Sequence, residues 1–139
     1  MPFSHPTSPS SGFSLVELLI VIALIGILTT VAVGFFGDRA VAANRTEGRS
    51  ALQTAAGTLE KCKSLYGTYN HVNCNYADFQ TGSGYYDITA AIPAAGTSFL
   101  LTATPVPGAS QARDADCTSM TLTNTGIQGG TGADITECW

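Results

Sequence analysis

One carboxylate lies inside the most apolar part of the chain. Glu17 is the only charged residue between Phe13 and Gly37. An ionised carboxylate without a partner is costly in an apolar environment, so a chain that keeps one there has a use for it. A glycine–aromatic junction, Gly12–Phe13, stands at the start of the same run. The junction and the carboxylate are therefore the candidate functional features.

Three simpler explanations compete for these residues. A secretory signal peptide is cut after a short apolar core, whereas the Gly12–Phe13 junction precedes the core. Residues 13–37 are long enough for a plain membrane anchor, but an anchor explains neither Glu17 nor the junction. Ser14 precedes Glu17 by three residues, which is the capping-box spacing, so Glu17 could also be a helix cap.

The segment GFSLVELLIVIALIGIL, residues 12–28, resembles the N-terminal signature of the type IV pilin family and its relatives in type II secretion. In that family a prepilin peptidase cuts after the glycine and methylates the new N-terminal phenylalanine. The fifth mature residue is a glutamate that serves filament assembly. The resemblance implies cleavage between Gly12 and Phe13, N-methylation of Phe13 and an assembly role for Glu17.

The resemblance also implies a division of the chain. Residues 1–12 form a leader that is removed, and residues 13–37 form the transmembrane or filament-core half of a helix. Residues 38–139 form a periplasmic or extracellular globular domain. The implied fold class is α+β, with a long N-terminal helix packed on a small antiparallel sheet of three to four strands.

The helix is predicted from about Ser14 to Lys63 or Leu65. Its first half is apolar all round, and its second half has one apolar face with 3–4 spacing. This face consists of Val41, Leu52, Ala55, Leu59, Cys62 and Tyr66, with Arg45 and Gly48 at intermediate positions. We expect this face to pack on the sheet.

Residues 64–84 are predicted to form an irregular loop before the sheet. Alternating or β-rich segments bounded by turn residues then predict three strands and a weaker fourth near Ile127. The three are Tyr85–Ile92, Ser98–Thr104 and Thr118–Thr123, with Phe99, Leu101, Ala103, Met120 and Leu122 facing inward. We expect Gly129, Gly130 and Gly132 to loosen the following segment.

The cysteines indicate disulfides. The sequence has four, and an even number in a small exported domain is typical of two bridges. Three pairings are possible, and sequence proximity favours Cys62–Cys74 and Cys117–Cys138. Zinc is the competing interpretation, but no CxxC pair is present. We expect neither a metal nor a cofactor.

Composition and motifs argue against other functions. The net charge of −4 provides no electrostatic footprint for nucleic acid, so we expect no nucleic-acid partner. The sequence contains no recognisable catalytic motif, so an enzyme is not expected. Asp114 and Asp116, beside Cys117, could suggest calcium, but two carboxylates in a polar loop are more typical of a solvated turn.

The C-terminal half, with its final Cys138–Trp139 pair, resembles small type IVa pilins that end in a disulfide-closed loop, many of them minor pilins. The resemblance implies a pilus subunit stored in the bacterial inner membrane with its N-terminus in the cytoplasm. Its partners would be membrane lipid, the prepilin peptidase, the inner-membrane assembly platform and other pilins. The product would be an extracellular filament for twitching motility, adhesion or DNA uptake.

Two alternatives remain open. One is a pseudopilin of a type II secretion system. The other is a DNA-receptor pilin for transformation, which would need exposed aromatic side chains beside basic ones. The candidates for such a surface are Lys61, Lys63, Tyr66, Tyr69 and His71.

Overall fold

The structure, a computed structural model, describes residues 12–74 and 76–139. The side chains of residues 32–36 and 38 lie outside this description, as does nearly all of the predicted leader. The chain forms two compact units, Met1–Gly37 and Asp38–Trp139, which are described separately.

In the first unit, the described residues are almost all helical. Helix α1 spans Leu15–Tyr66, so it begins and ends within one to three residues of the predicted limits. The side chains between Leu15 and Val31 are exposed. Within the described part of the chain, no helix is long and apolar enough to cross a membrane. The predicted membrane segment includes residues 32–36, whose side chains are outside the description.

In the second unit, α1 buries one face. Five of the six residues predicted for this face are buried: Val41, Leu52, Ala55, Leu59 and Cys62. The prediction for Tyr66 is wrong, because this ring is 41% exposed and stacks on His71 of the following loop. Gly48 lies on the same face, where an added Cβ would collide with Met120 and touch Tyr86. Helix and sheet therefore pack closely at Gly48.

The sheet is an antiparallel meander of five strands in sequence order. The strands are β1 (Phe79–Gln80), β2 (Tyr86–Ala91), β3 (Leu100–Pro105), β4 (Ser119–Thr123) and β5 (Gln128–Thr131). The predicted number of three to four strands was too low, because β1 lies inside the segment predicted as a loop. Two residues are too few for an alternating pattern to reveal a strand.

The inner face of the sheet matches the sequence pattern. All five residues predicted to face inward are buried, and they form one core with Leu52 and Leu59 of α1 and with Tyr86 and Ile88 of β2. The register places Ile88, Ala103, Met120 and Gly130 in one row across four strands.

The glycines after β4 were predicted to loosen the chain, but they allow it to pack closely against the neighbouring segment. Gly132 has φ +145°, and an added Cβ would collide with the carbonyl oxygen of Asp116. An added Cβ at Gly130 would collide with the carbonyl oxygen of Ser119 and approach Cys138. Because no side chain intervenes, this segment lies directly against the chain that leads into β4.

Gly132→Ala should therefore destabilise the fold by more than about 1 kcal/mol, since alanine disfavours this φ and its Cβ has no space. Gly57→Ala is the matched control. Gly57 is helical with no neighbouring atom within 4 Å of an added Cβ, so alanine should stabilise by up to about 1 kcal/mol. Urea unfolding of the oxidised protein measures both, and equal effects of the two substitutions would contradict the close approach at Gly132.

Candidate functional site

The Gly12–Phe13 junction lies in non-helical backbone before α1. Residues 12–14 are exposed, and Phe13 is 84% exposed. A scissile bond must adopt an extended form in a protease, and non-helical backbone permits this without unwinding a helix. The geometry is therefore compatible with the predicted cleavage.

Glu17 lies in the first turn of α1 and is exposed. Among the described residues, no hydrogen bond or ion pair involves its side chain. The amide of Leu18 donates to the carbonyl oxygen of Ser14, as in an ordinary helix turn. The Ser14–Glu17 capping box is thus not formed here, and the carboxylate is accessible to a group outside this chain.

A buried ion pair lies on the core-facing side of α1. Arg45 is 4% exposed, although it carries a charge. Its Nε and Nη2 donate two hydrogen bonds of 2.7 Å to the two oxygens of Asp114. Asp114 lies in the connection between β3 and β4, so this bidentate pair joins the helix to the sheet connections.

Asp114 accepts two further hydrogen bonds. The Cys117 amide donates at 3.1 Å and the Gln111 side-chain amide at 2.8 Å. Burial alone would raise the pKa of Asp114, but the hydrogen bonds from Arg45, Cys117 and Gln111 outweigh burial and hold this pKa below its ordinary value. The hydrogen bond to Asp114 likewise raises the pKa of Arg45. Both side chains are therefore charged at neutral pH.

The same helix face binds residues Ile135–Cys138, a short 3₁₀ helix. Arg45 Nη1 donates to the carbonyl oxygen of Glu137 at 3.1 Å. Arg49, about one turn further along α1, donates from Nε to the carbonyl oxygen of Cys138 at 2.7 Å and from Nη2 to that of Glu137 at 2.9 Å. We call Arg45, Arg49, Asp114 and Glu137 the arginine clasp.

Sequence reasoning missed this clasp. The solvated-turn interpretation fits Asp116, which is exposed and 3.8 Å from Arg45, but it is wrong for Asp114. Both carboxylate oxygens of Asp114 face Arg45, so they are not available to calcium. The signal that could have revealed the pair is an arginine at a core-facing position, because buried cations need an acidic partner.

Two disulfides close the two ends of the second unit. Cys62 pairs with Cys74 across a Cα–Cα distance of 5.6 Å, and Cys117 pairs with Cys138 at 5.3 Å. Both distances are ordinary for disulfides. The first joins the last turns of α1 to the loop, and the second joins the start of β4 to the 3₁₀ helix held by the clasp.

A cleft of about 230 Å³ lies beside the Cys62–Cys74 bridge. Its lining includes Lys61, Leu65, Tyr66, Asn73 and Tyr76. The exposed Tyr66 ring stacks on His71 with a centroid distance of 4.3 Å.

The other two candidates for a nucleic-acid surface are engaged in the fold. Tyr69 is 2% exposed and donates to Glu60 at 2.7 Å, and Lys63 lies over the Tyr69 ring. Of the five candidates, Lys61 and Tyr66 therefore line the cleft, and His71 stacks on Tyr66.

Two protein families match this chain. The family described as a prokaryotic N-terminal methylation motif matches residues 7–33, which include the Gly12–Phe13 junction and Glu17. The family described as the type IV minor pilin ComP, DNA uptake sequence receptor, matches residues 36–121, more than half of the chain. The chain belongs to this type IV minor pilin family.

Individual pilins are also similar. The fimbrial protein EcpC of Eikenella corrodens is 32% identical over 93 residues, which are 67% of this chain and 61% of that protein. This pilin thus spans about three fifths of that relative's length. A type IV pilin structure from Shewanella oneidensis matches with a TM-score of 0.52 and 23% identity, covering 71% of this chain and 97% of that one.

The structural match confirms the predicted pilin fold. The family match confirms the prediction of a type IV pilin of the minor type. The roles of Gly12, Phe13 and Glu17 in processing and assembly stay predictions.

Asp114→Asn should destabilise this pilin by about 3 kcal/mol, because it removes the buried counter-charge of Arg45. The carboxylates of Glu137 at 3.3 Å and Asp116 at 3.8 Å remain, but both side chains are largely exposed. Asp116→Asn is the matched control, and loss of this exposed, longer contact should cost less than about 1 kcal/mol. Urea unfolding at neutral pH measures both. Equal effects would mean that the buried pair contributes no more than a surface contact.

Asp114 also makes stability depend on acidity. Its pKa is lower in the folded than in the unfolded chain. The ionised Asp114 carboxylate therefore stabilises the folded chain fully above the unfolded pKa of about 3.9, and this stabilisation is lost as the pH falls through the folded pKa. As the pH falls from roughly 5 to 3, the free energy of unfolding should decrease less in Asp114→Asn than in the unmodified protein. Parallel curves would contradict the lowered pKa.

Proposed function

We propose that this minor pilin is stored in the bacterial inner membrane, cut between Gly12 and Phe13, and incorporated into an extracellular filament through Glu17. The observation that carries the proposal is the methylation-motif match over residues 7–33, together with an exposed Glu17 in the first turn of α1. The prepilin peptidase and the inner-membrane assembly platform are the proposed processing partners.

Glu17 has no partner among the described residues, and cleavage would create one. The new N-terminus at Phe13 is an amine, which stays basic after methylation. Glu17 of one subunit pairs with the Phe13 amine of the next, so that two charges in an apolar filament core neutralise each other. Leaving either charge buried alone would cost several kcal/mol. The pair therefore sets the register of one subunit against the next.

The apolar helix surface would supply the remaining interactions. In the membrane, the helix around residues 13–37 satisfies its own backbone hydrogen bonds, and its side chains contact lipid. In the filament, the same surface packs against neighbouring helices. A contact between two different surfaces of successive subunits does not close on itself, so it builds a helical fibre. The minor-pilin family favours this role over the pseudopilin alternative.

The test of the assembly proposal is Glu17→Ala. We expect the variant to accumulate in membranes but to be depleted from sheared filaments, because the Phe13 amine of the next subunit has lost its partner. Glu17→Gln, which keeps the shape and removes the charge, should be depleted similarly. The readout is the amount of this pilin in filaments divided by its amount in membranes, since other pilins can still build the fibre.

The same experiment includes a control for cleavage at Gly12–Phe13. Gly12→Val should accumulate as uncut precursor, identified by mass spectrometry of its N-terminus. An unchanged filament-to-membrane ratio for both Glu17 variants would show that the carboxylate has no assembly role.

A second function, DNA binding, is favoured by the family description and by the cleft beside Cys62–Cys74. The matched region, residues 36–121, contains the whole cleft. Lys61 supplies a cation and Tyr66 an exposed aromatic ring, which are the groups that contact phosphates and bases. The acidic balance of the chain opposes binding, so contact would be local to this cleft.

DNA binding is tested with a fluorescently labelled DNA duplex and fluorescence anisotropy. Lys61→Ala should weaken binding and reduce the slope of log affinity against log salt by about one. Tyr66→Ala should weaken it without changing that slope. Arg113→Ala removes an exposed cation elsewhere and is the matched control. No binding by the unmodified pilin at low salt, or a loss only in Arg113→Ala, would contradict a DNA site in this cleft.

A further inference from the structure

His71 is held against one of the side chains that line the cleft beside Cys62–Cys74. Its ring is parallel to that of Tyr66, with an interplanar angle of 2° and a centroid distance of 4.3 Å. Tyr66 lines the cleft and His71 does not, so His71 contacts Tyr66 from outside the cleft. The stack sets the plane of the imidazole ring.

A backbone hydrogen bond decides which nitrogen of His71 carries the proton. The Asn73 amide donates to His71 Nδ1 at 3.2 Å. A nitrogen that accepts a hydrogen bond has a free lone pair, so the proton of the neutral imidazole lies on Nε2. Among the described residues, none accepts a hydrogen bond from Nε2. The neutral His71 ring is therefore a donor whose direction is already set.

This donor lies near the cation of the DNA site proposed above. Lys61 and Tyr66 are both exposed on the last turns of α1. Their separation of five residues is about 7.5 Å along the helix axis. Successive phosphates of one DNA strand are about 3.4 Å apart along the duplex axis. One strand can therefore place two phosphates, two steps apart, beside Lys61 and beside the Tyr66–His71 stack.

Phosphate is the part of DNA that suits a donor in this position. A phosphate oxygen accepts hydrogen bonds and lies on the outside of the duplex, where a surface side chain reaches it without entering a groove. Base edges lie within the grooves, and reading them requires a side chain that enters. His71 lies outside the cleft, on the side of the Tyr66 ring that the cleft does not include.

We propose that His71 is a phosphate contact of this pilin, in which Nε2–H donates a hydrogen bond to a phosphate oxygen of bound DNA. The inference rests on the DNA-binding function proposed above. A neutral donor displaces no counterion, whereas Lys61 does. His71 therefore adds affinity that does not depend on salt, and it positions the strand without reading its sequence.

The direction of the donor is tested on the pilin without DNA. In a long-range ¹H–¹⁵N correlation spectrum of the full-length pilin in detergent at pH 8, His71 Nε2 should be the protonated nitrogen and Nδ1 the unprotonated one. A proton on Nδ1, or an equal mixture of the two tautomers, overturns the oriented donor whether or not the pilin binds DNA.

The contact is tested by fluorescence anisotropy with a labelled DNA duplex at pH 8 over a range of salt concentrations. His71→Phe keeps a ring beside Tyr66 and removes both nitrogens, so it should weaken binding about tenfold without changing the salt slope. Lys61→Ala should instead lower that slope by about one. His71→Gln, whose amide can supply a donor in place of Nε2–H, should recover part of the loss.

The outcomes separate this contact from the DNA site itself. The loss in His71→Phe should be equal for two duplexes of unrelated sequence, because phosphate contacts carry no sequence information. No binding by the unmodified pilin overturns both the site and the contact. Binding that weakens in Lys61→Ala but not in His71→Phe overturns only the contact. A loss in His71→Phe that lowers the salt slope by about one, or that depends on sequence, overturns the neutral phosphate donor.

Discussion

The second unit depends on the charge pair between Arg45 and Asp114. It lies inside the fold and connects three segments that are distant in sequence: helix α1, the connection before β4, and residues 135–138. A buried pair of this kind adds little stability over an apolar pair, but removing one partner is costly. Its main effect is therefore to specify how the segments meet, since any arrangement that separates the two charges is strongly disfavoured.

The two ends of this unit are secured to different degrees. At one end, the arginine clasp and the fully buried Cys117–Cys138 bridge hold the last strands against the helix, and Gly130 and Gly132 allow the close approach. At the other end, the Cys62–Cys74 bridge, in which only Cys74 is partly exposed, lies beside an open cleft. The described residues that follow Asn70 in this loop make mostly local hydrogen bonds. Local stability follows the density of such ties, so we expect variation in conformation and in binding at the cleft end.

Periodicity made much of the fold predictable, because burial on one face leaves a regular trace in the sequence. The helix face and the inward residues of β3 and β4 followed from it. Strand β1 was too short to show a pattern. Tyr66 has the spacing of the buried helix face, but its exposed ring stacks on His71, which only the folded loop brings close to it. The core-facing position of Arg45 indicates that it needs an acidic partner, but the sequence does not identify Asp114 as that partner, because the two are 69 residues apart. The role of Glu17 was inferred from motif resemblance, since its proposed partner belongs to another subunit.

The most direct test of the central role of the Arg45–Asp114 pair is a double-mutant cycle with Arg45→Met and Asp114→Leu, followed by urea unfolding. Each single change leaves one charge buried, whereas the double change leaves an apolar pair. The double variant should therefore be more stable than the sum of the single effects predicts, by about 2–3 kcal/mol. Additivity within about 0.5 kcal/mol would show that the two charges do not depend on each other, and would contradict this account of the fold.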